Sequence, residues 1–85
     1  MEVKSVISEN LKRLRREKSA KENRLVSQRD VGVAIGKDPN TIRNYESGAT
    51  CPDFETAWLL ADFYGTTIDA LGGRYTPDTP AVVGR

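Results

Sequence analysis

The sequence contains no histidine, one cysteine (Cys51) and one tryptophan. It therefore has too few of the usual ligands for a zinc site, lacks the commonest general base, and cannot form an intrachain disulfide. An enzyme would have to work with Asp, Glu, Lys and Tyr alone, and no nucleophile–base pair stands at a plausible spacing. We therefore expect no catalysis, no metal and no cofactor, and interpret Cys51 as a small semi-buried residue.

Long apolar runs are absent as well, so the sequence has no membrane span and no signal-peptide core, and we expect a cytoplasmic protein. Its 85 residues, 38% hydrophobic and 29% charged, suffice for one small globular domain. They leave no room for an inducer pocket of ordinary size. We therefore expect no small-molecule ligand, and control by protein concentration, a partner protein or proteolysis.

The net charge of +1 conceals an uneven distribution along the chain. Residues 11–45 contain ten Lys/Arg and four Asp/Glu, for +6, whereas residues 46–85 carry −4 and residues 1–10 carry −1. A basic middle is typical of a surface that attracts polyanions such as nucleic acid. Charge alone fits solvated helix faces equally well.

Apolar periodicity and capping residues predict five short helices and no strand. The predicted helices cover about 3–17, 27–35, 39–47, 53–64 and 68–72. The first has an apolar face of Val3, Ile7, Leu11 and Leu14. Residues 18–26 lack such a pattern and are either a loop or an extension of this helix.

The second and third helices are separated by a tight turn. Ser27 and Asp30 have the spacing of a capping box, and Val31, Ala34 and Ile35 form the apolar stripe of the second helix. Gly36 suits a left-handed C-terminal position, and Asp38-Pro39 is the clearest helix start in the chain. Gly32 inside the second helix suggests close packing against another helix.

The fourth helix has a broad apolar face that comprises Phe54, Ala57, Trp58, Leu60, Ala61 and Tyr64. We expect Tyr45, Trp58 and Tyr64 to belong mainly to the core. Residues 1–73 then form the domain, and residues 74–85, which contain two prolines and few apolar residues, form a flexible tail.

Two short helices joined by a glycine turn on a basic segment are typical of a helix-turn-helix. Residues 11–72 resemble the phage-repressor family of lambda repressor, Cro and xenobiotic-response-element-like domains. The matching stretches include Leu11-Lys12-Arg13-Leu14-Arg15, Ser27-Gln28, Ala34-Ile35-Gly36, Tyr45-Glu46-Ser47-Gly48 and Pro52-Asp53-Phe54-Glu55-Thr56. The resemblance implies a compact all-α, five-helix lambda-repressor-like domain with its helix-turn-helix at about 27–47. It also implies a transcriptional regulator that binds double-stranded DNA, most simply a repressor. The small size of the domain suggests a phage or mobile-element origin.

The resemblance also assigns roles to residues. The third helix becomes the recognition helix, with base contacts from Pro39, Asn40, Thr41, Arg43 and Asn44. Arg43 suits a phosphate equally well. Phosphate contacts are expected from Gln28, Arg29, Lys37, Lys18, Lys21 and Arg24. Arg15 and Glu46 match positions that often form a buried ion pair, which makes Glu46 structural.

Three features depart from the family pattern. Twelve residues separate Arg15 from Gln28 where compact members have about six, so this insertion either contacts phosphates or is a solvated segment. Leu59 and Phe63 are surplus apolar residues, either scattered or a homodimer interface. The chain also ends soon after the fifth helix. An alternative function is an antitoxin-like or anti-regulator protein that binds a small protein partner through the acidic residues Asp62, Asp69 and Asp78.

Overall fold

The computed structural model describes residues 3–72, and this part of the chain folds into five α-helices without a strand. The helices are α1 (Val3–Glu22), α2 (Gln28–Ile35), α3 (Pro39–Ser47), α4 (Phe54–Tyr64) and α5 (Ile68–Leu71). The expected all-α, five-helix fold is confirmed. The expected flexible tail 74–85 and the apolar contribution of the Val3 side chain lie outside the residues described.

Short-range hydrogen bonds fix the starts of the helices as the sequence predicts. The Ser27 hydroxyl accepts from the backbone N–H of Asp30, and the Asp30 carboxylate accepts from the backbone N–H of Ser27, which completes the capping box. Asp38 and Asp53 cap α3 and α4 by accepting from the N–H three residues later, at 2.9 and 2.8 Å. Because these bonds favour the charged form, they lower the pKa of both carboxyl groups.

Helix α1 ends at Glu22, five residues beyond the predicted end at 17. An ion pair at i,i+4 spacing, Lys18 with Glu22 at 2.8 Å, supports the added residues. The alternative of a longer first helix therefore holds as far as Glu22. Residues 23–27 then return the chain to the start of α2.

The hydrophobic core lies where α1 to α5 converge. Its buried members are Leu11, Val26, Val31, Ile35, Ile42, Tyr45, Leu60, Ala61 and Leu71. Val26 is completely buried although it lies in the segment without apolar periodicity, and its N–H donates to the Ser19 hydroxyl at 2.9 Å. The Asn10 amide donates to the Leu71 carbonyl at 2.8 Å and so attaches α5 to α1.

The prediction that Trp58 belongs to the core is wrong, because its side chain is 57% exposed. Trp58 lies two residues before the buried Leu60, which is about 200° around the helix. Phe54, also placed on the predicted apolar face, is 69% exposed. Tyr45 is buried as expected, and Tyr64 is partly buried, which raises the pKa of its phenol.

Two smaller expectations are also wrong. Ala34 is exposed, and the buried stripe of α2 consists of Val31, Gly32 and Ile35. Cys51, in the connection before α4, is exposed rather than semi-buried.

Candidate nucleic-acid interface

Helices α2 and α3 are joined by the three residues Gly36 to Asp38. Gly36 has φ +78°, a left-handed conformation that glycine adopts without strain, and it ends α2. The Lys37 N–H donates to the Gly32 carbonyl at 2.8 Å, and a methyl group on Gly32 would overlap the Lys37 carbonyl oxygen. Gly32 therefore makes room for the turn itself, not for another helix as the sequence suggested.

Helix α3 has one face in the core and the opposite face in solvent. Its buried residues are Ile42, Tyr45 and Glu46. Its exposed residues are Pro39, Asn40, Arg43 and Ser47, and Thr41 and Asn44 are partly exposed. The five residues expected to contact bases thus all have some access to solvent, and the helix is held from behind by its buried residues.

A hydrogen-bonded network fixes the orientation of α3 relative to α1 and α2. Glu46 is almost fully buried, and its two carboxylate oxygens accept from Arg15 at 2.7 and 2.9 Å. Arg15 also donates to the Val26 carbonyl at 3.1 Å. The bond to Glu46 is the main reason why the pKa of Arg15 is raised. The ion pair between Arg15 and Glu46 is thus present, and it links α1 directly to α3.

Gln28 belongs to the same network, because its amide nitrogen donates to Glu46 at 3.1 Å. An amide nitrogen has two hydrogens, so this bond leaves the second one for another acceptor. Gln28 also lines a shallow depression of about 250 Å³ together with Pro39, Asn40 and Arg43. The first residue of α2 and the exposed residues of α3 therefore share one surface.

Two exposed side chains of α3 contact each other. A terminal guanidinium nitrogen of Arg43 donates to the Asn40 side-chain oxygen at 2.6 Å. Residues three apart are neighbours on a helix surface, so the contact follows from the spacing. Ser47, four residues after Arg43, lies on the same exposed face and was not singled out in the sequence. The same spacing rule could have identified it.

The expected phosphate-contacting cations differ in their surroundings. Arg29 and Lys37 are exposed and form no ion pair within residues 3–72. Lys18 pairs with Glu22 at 2.8 Å and lies 4.7 Å from the centre of the Phe63 ring. Arg24 contacts Glu22 at 3.1 Å and Asp30 at 3.8 Å, and Lys21 is exposed at the end of α1.

The two residues expected at a dimer interface are not equally accessible. Leu59 is 41% exposed, whereas Phe63 packs partly against the core. Both line a shallow depression of about 240 Å³ with Ala34 and Ile35 of α2 and with Asp62. The depression opens between α2 and α4 rather than on the exposed face of α3.

Two other features, a metal site and a membrane-spanning helix, are not found in the described part of the chain. Residues 3–72 contain no group of three or more His, Cys, Asp or Glu side chains placed to hold a metal ion. Within the same residues, no helix has both the length and the apolar character needed to cross a membrane.

The comparison with protein families agrees with this geometry. Residues 18–71, well over half of the chain, match the model of the helix-turn-helix family. The match begins inside α1, so residues 11–17 of the resemblance lie outside it. No curated protein and no solved structure matches the chain. The match spans the turn, the exposed face of α3 and Gln28, and the chain belongs to the lambda repressor- and Cro-like helix-turn-helix family of DNA-binding regulators.

Proposed function

We propose that the protein is a sequence-specific transcriptional repressor that inserts α3 into the major groove of DNA as a homodimer. The observation that carries this proposal is the polar exposed face of α3 beside Gln28. A helix enters the major groove readily, and side chains on its outer face can then reach the base edges. Because Ile42, Tyr45 and Glu46 hold α3 from behind, those side chains start from a fixed backbone.

The chemistry of the exposed residues suits reading of bases. Asn40 and Asn44 lie four residues apart on one face, and an asparagine amide can pair with adenine through N6 and N7. Arg43 can bind guanine through O6 and N7. Thr41 and Pro39 offer a hydroxyl or an apolar contact, for example with a thymine methyl group.

Phosphate contacts follow from the N-terminus of α2 and the cations near it. The first backbone N–H groups of a helix have no intrahelical acceptor, and the helix dipole favours an anion there. We assign Gln28, Arg29 and Lys37 to the DNA backbone. Phosphate contacts by Lys18, Lys21 and Arg24 stay a prediction. Lys18 and Arg24 both pair with the Glu22 carboxylate, so we expect a smaller contribution to DNA affinity from them than from Arg29 and Lys37.

We place the dimer contact at Leu59 and Phe63, with Leu59 as the more accessible residue. A two-fold dimer would present two recognition helices one DNA turn apart, about 34 Å, and would bind a palindromic site. Such a complex on a promoter excludes polymerase by occupancy, which is the basis of repression.

The first experiment selects binding sites from a random duplex pool and then measures affinity by fluorescence anisotropy. We expect a preference of at least about a thousandfold over a scrambled duplex at physiological salt. Asn40→Ala and Arg43→Ala should each cost about 1–3 kcal/mol on the selected site. Arg13→Ala is the matched control, because Arg13 lies on α1 and pairs with Glu17. Equal binding of all sequences by the wild type, or equal losses for Arg13→Ala and Arg43→Ala, would contradict the proposal.

The dimer contact has its own test in sedimentation equilibrium. Leu59→Glu should convert the dimer to a monomer, whereas Val33→Glu, at a 78% exposed position on α2, should not. A Leu59→Glu protein that still sediments as a dimer would reject this placement. The affinity for a DNA half-site, which binds one copy of the domain, would still test the base contacts of α3 independently of the dimer.

A further inference from the structure

A second surface of the domain lies on α4, away from the exposed face of α3. Phe54 and Trp58 are 69% and 57% exposed, and their ring centres lie 6.0 Å apart. Next to them is a depression of about 220 Å³ at the junction of α4 and α5. It is lined by Trp58, Ala61, Asp62, Thr66, Thr67 and Ile68. We call Phe54, Trp58 and this depression the aromatic surface.

The charged residues next to Trp58 on α4 are both acidic, and Lys37 lies near Asp53 at the start of the helix. Glu55 and Asp62 lie three residues before and four residues after Trp58, so both are its neighbours on the helix surface. Both are exposed, and neither forms an ion pair with any residue that the structure describes. The sequence has no Lys or Arg between Arg43 and Arg74, so α4 and α5 contain no cation.

Three occupants can be compared by their charge. DNA is repelled by the two carboxylates. A second copy whose own Trp58 lay on this depression would bring Glu55 and Asp62 of both chains into one contact, and like charges in contact are unfavourable. The dimer contact proposed at Leu59 and Phe63 adjoins this surface, because Asp62 lines both depressions. A protein segment that carries Lys or Arg beside an apolar side chain can pack the apolar group against the aromatic rings and pair its cations with the two carboxylates.

We propose that the aromatic surface is a docking site for a basic amphipathic helix of another protein. An apolar side chain of that helix enters the depression beside Trp58, and Lys or Arg one turn away pairs with Glu55 and Asp62. Exposed aromatic residues beside a pocket are the usual anchors of such interfaces. The aromatic surface shares no residue with the exposed face of α3.

The test uses Trp58 as its own reporter, because it is the only tryptophan in the chain. The probes are two synthetic helical peptides with the same leucines at i, i+3, i+4 and i+7, one flanked by lysines and one by glutamates. We expect the basic peptide to shift the Trp58 emission to shorter wavelength in a saturable way, with Kd below about 100 μM at low salt. The acidic peptide should bind at least about tenfold more weakly.

A charge reversal makes the test specific to this surface. The Glu55→Lys/Asp62→Lys variant, checked for folding by circular dichroism, should prefer the acidic peptide. The matched control is Glu9→Lys/Glu17→Lys, which makes the same change in net charge on α1 and should keep the preference for the basic peptide. Equal binding of both peptides, no binding of either up to about 1 mM, or reversal by the α1 control would overturn the proposal. The assay contains no DNA, so its failure leaves the DNA-binding function untouched.

Discussion

The ion pair that joins α1 to α3 gives the sharpest prediction, made by replacing Arg15 with Met. Glu46 is 4% exposed, and Arg15 supplies two of the three hydrogen bonds that its carboxylate accepts. The variant leaves a buried negative charge with Gln28 as its remaining donor. Stranding a buried charge in this way costs about 3–5 kcal/mol.

The opposite truncation, Glu46→Gln, should be milder. The Arg15 side chain is 21% exposed and keeps its hydrogen bond to the Val26 carbonyl, so water can solvate the unpaired guanidinium. We expect a loss of about 1–3 kcal/mol. Arg15→Met should therefore lose more stability than Glu46→Gln, because Glu46 is more deeply buried than Arg15.

The assay is urea unfolding followed by circular dichroism at pH 7.5. A domain of this size has a total stability of about 4–10 kcal/mol, so Arg15→Met should remove a large share of it. The Arg15→Met/Glu46→Leu double variant should recover most of the loss, because an apolar pair replaces both charges. Arg13→Met, which breaks an exposed pair, should stay within about 0.5 kcal/mol of wild type.

Two results would refute this reasoning. One is a loss for Arg15→Met that is no larger than the loss for Glu46→Gln. The other is a double variant no more stable than Arg15→Met alone.

Three further predictions concern the turn, the helix caps and the phosphate contacts. Gly32→Ala should lower the melting temperature, because the clash with the Lys37 carbonyl outweighs the gain of about 1 kcal/mol in helix propensity. An unchanged melting temperature would show that the backbone of the turn moves aside without cost. Because the pKa values of Asp38 and Asp53 are lowered in the folded state, the unfolded chain binds more protons than the folded chain near pH 4. The two caps therefore add to the free energy of unfolding above about pH 5, and this addition is lost as the pH falls below about 4. Acid titration of the unfolding free energy should show an earlier loss in wild type than in Asp38→Asn, and parallel curves would contradict this. Arg29→Ala and Lys37→Ala should each reduce the slope of log affinity against log salt by about one in anisotropy titrations, and an unchanged slope would remove that residue from the phosphate contacts.

The starts of α2, α3 and α4 and the turn between α2 and α3 could be predicted from the sequence because their causes are local. The Ser27 capping box, the Asp38 cap and the left-handed Gly36 depend on residues within three or four positions of each other. Those interactions do not require knowledge of the rest of the fold. The two-helix unit followed from them, whereas the roles expected of the α3 residues came from the family resemblance.

The burial of residues far from any regular pattern could not be predicted in this way. Val26 lies in a segment without apolar periodicity. Its burial depends on the course of the chain after α1 and on the hydrogen bond from its N–H to the hydroxyl of Ser19 on α1. Trp58 was placed in the core because α4 is apolar on most of its circumference. Only the packed structure shows that α4 buries a narrow strip around Leu60.

The hydrogen bond between Arg43 and Asn40 has a consequence for how a binding site should be described. The Asn40 side-chain oxygen has a second lone pair that can accept from adenine N6, and Arg43 has further N–H donors, so the bond ties the orientations of the two side chains together without blocking either base contact. If both residues contact bases as proposed, a DNA sequence that drew Arg43 toward guanine would also change the orientation of Asn40 at the adjacent position. The preferred bases at these positions would then be correlated, and a site description that scores each base pair independently would misjudge their combined effect.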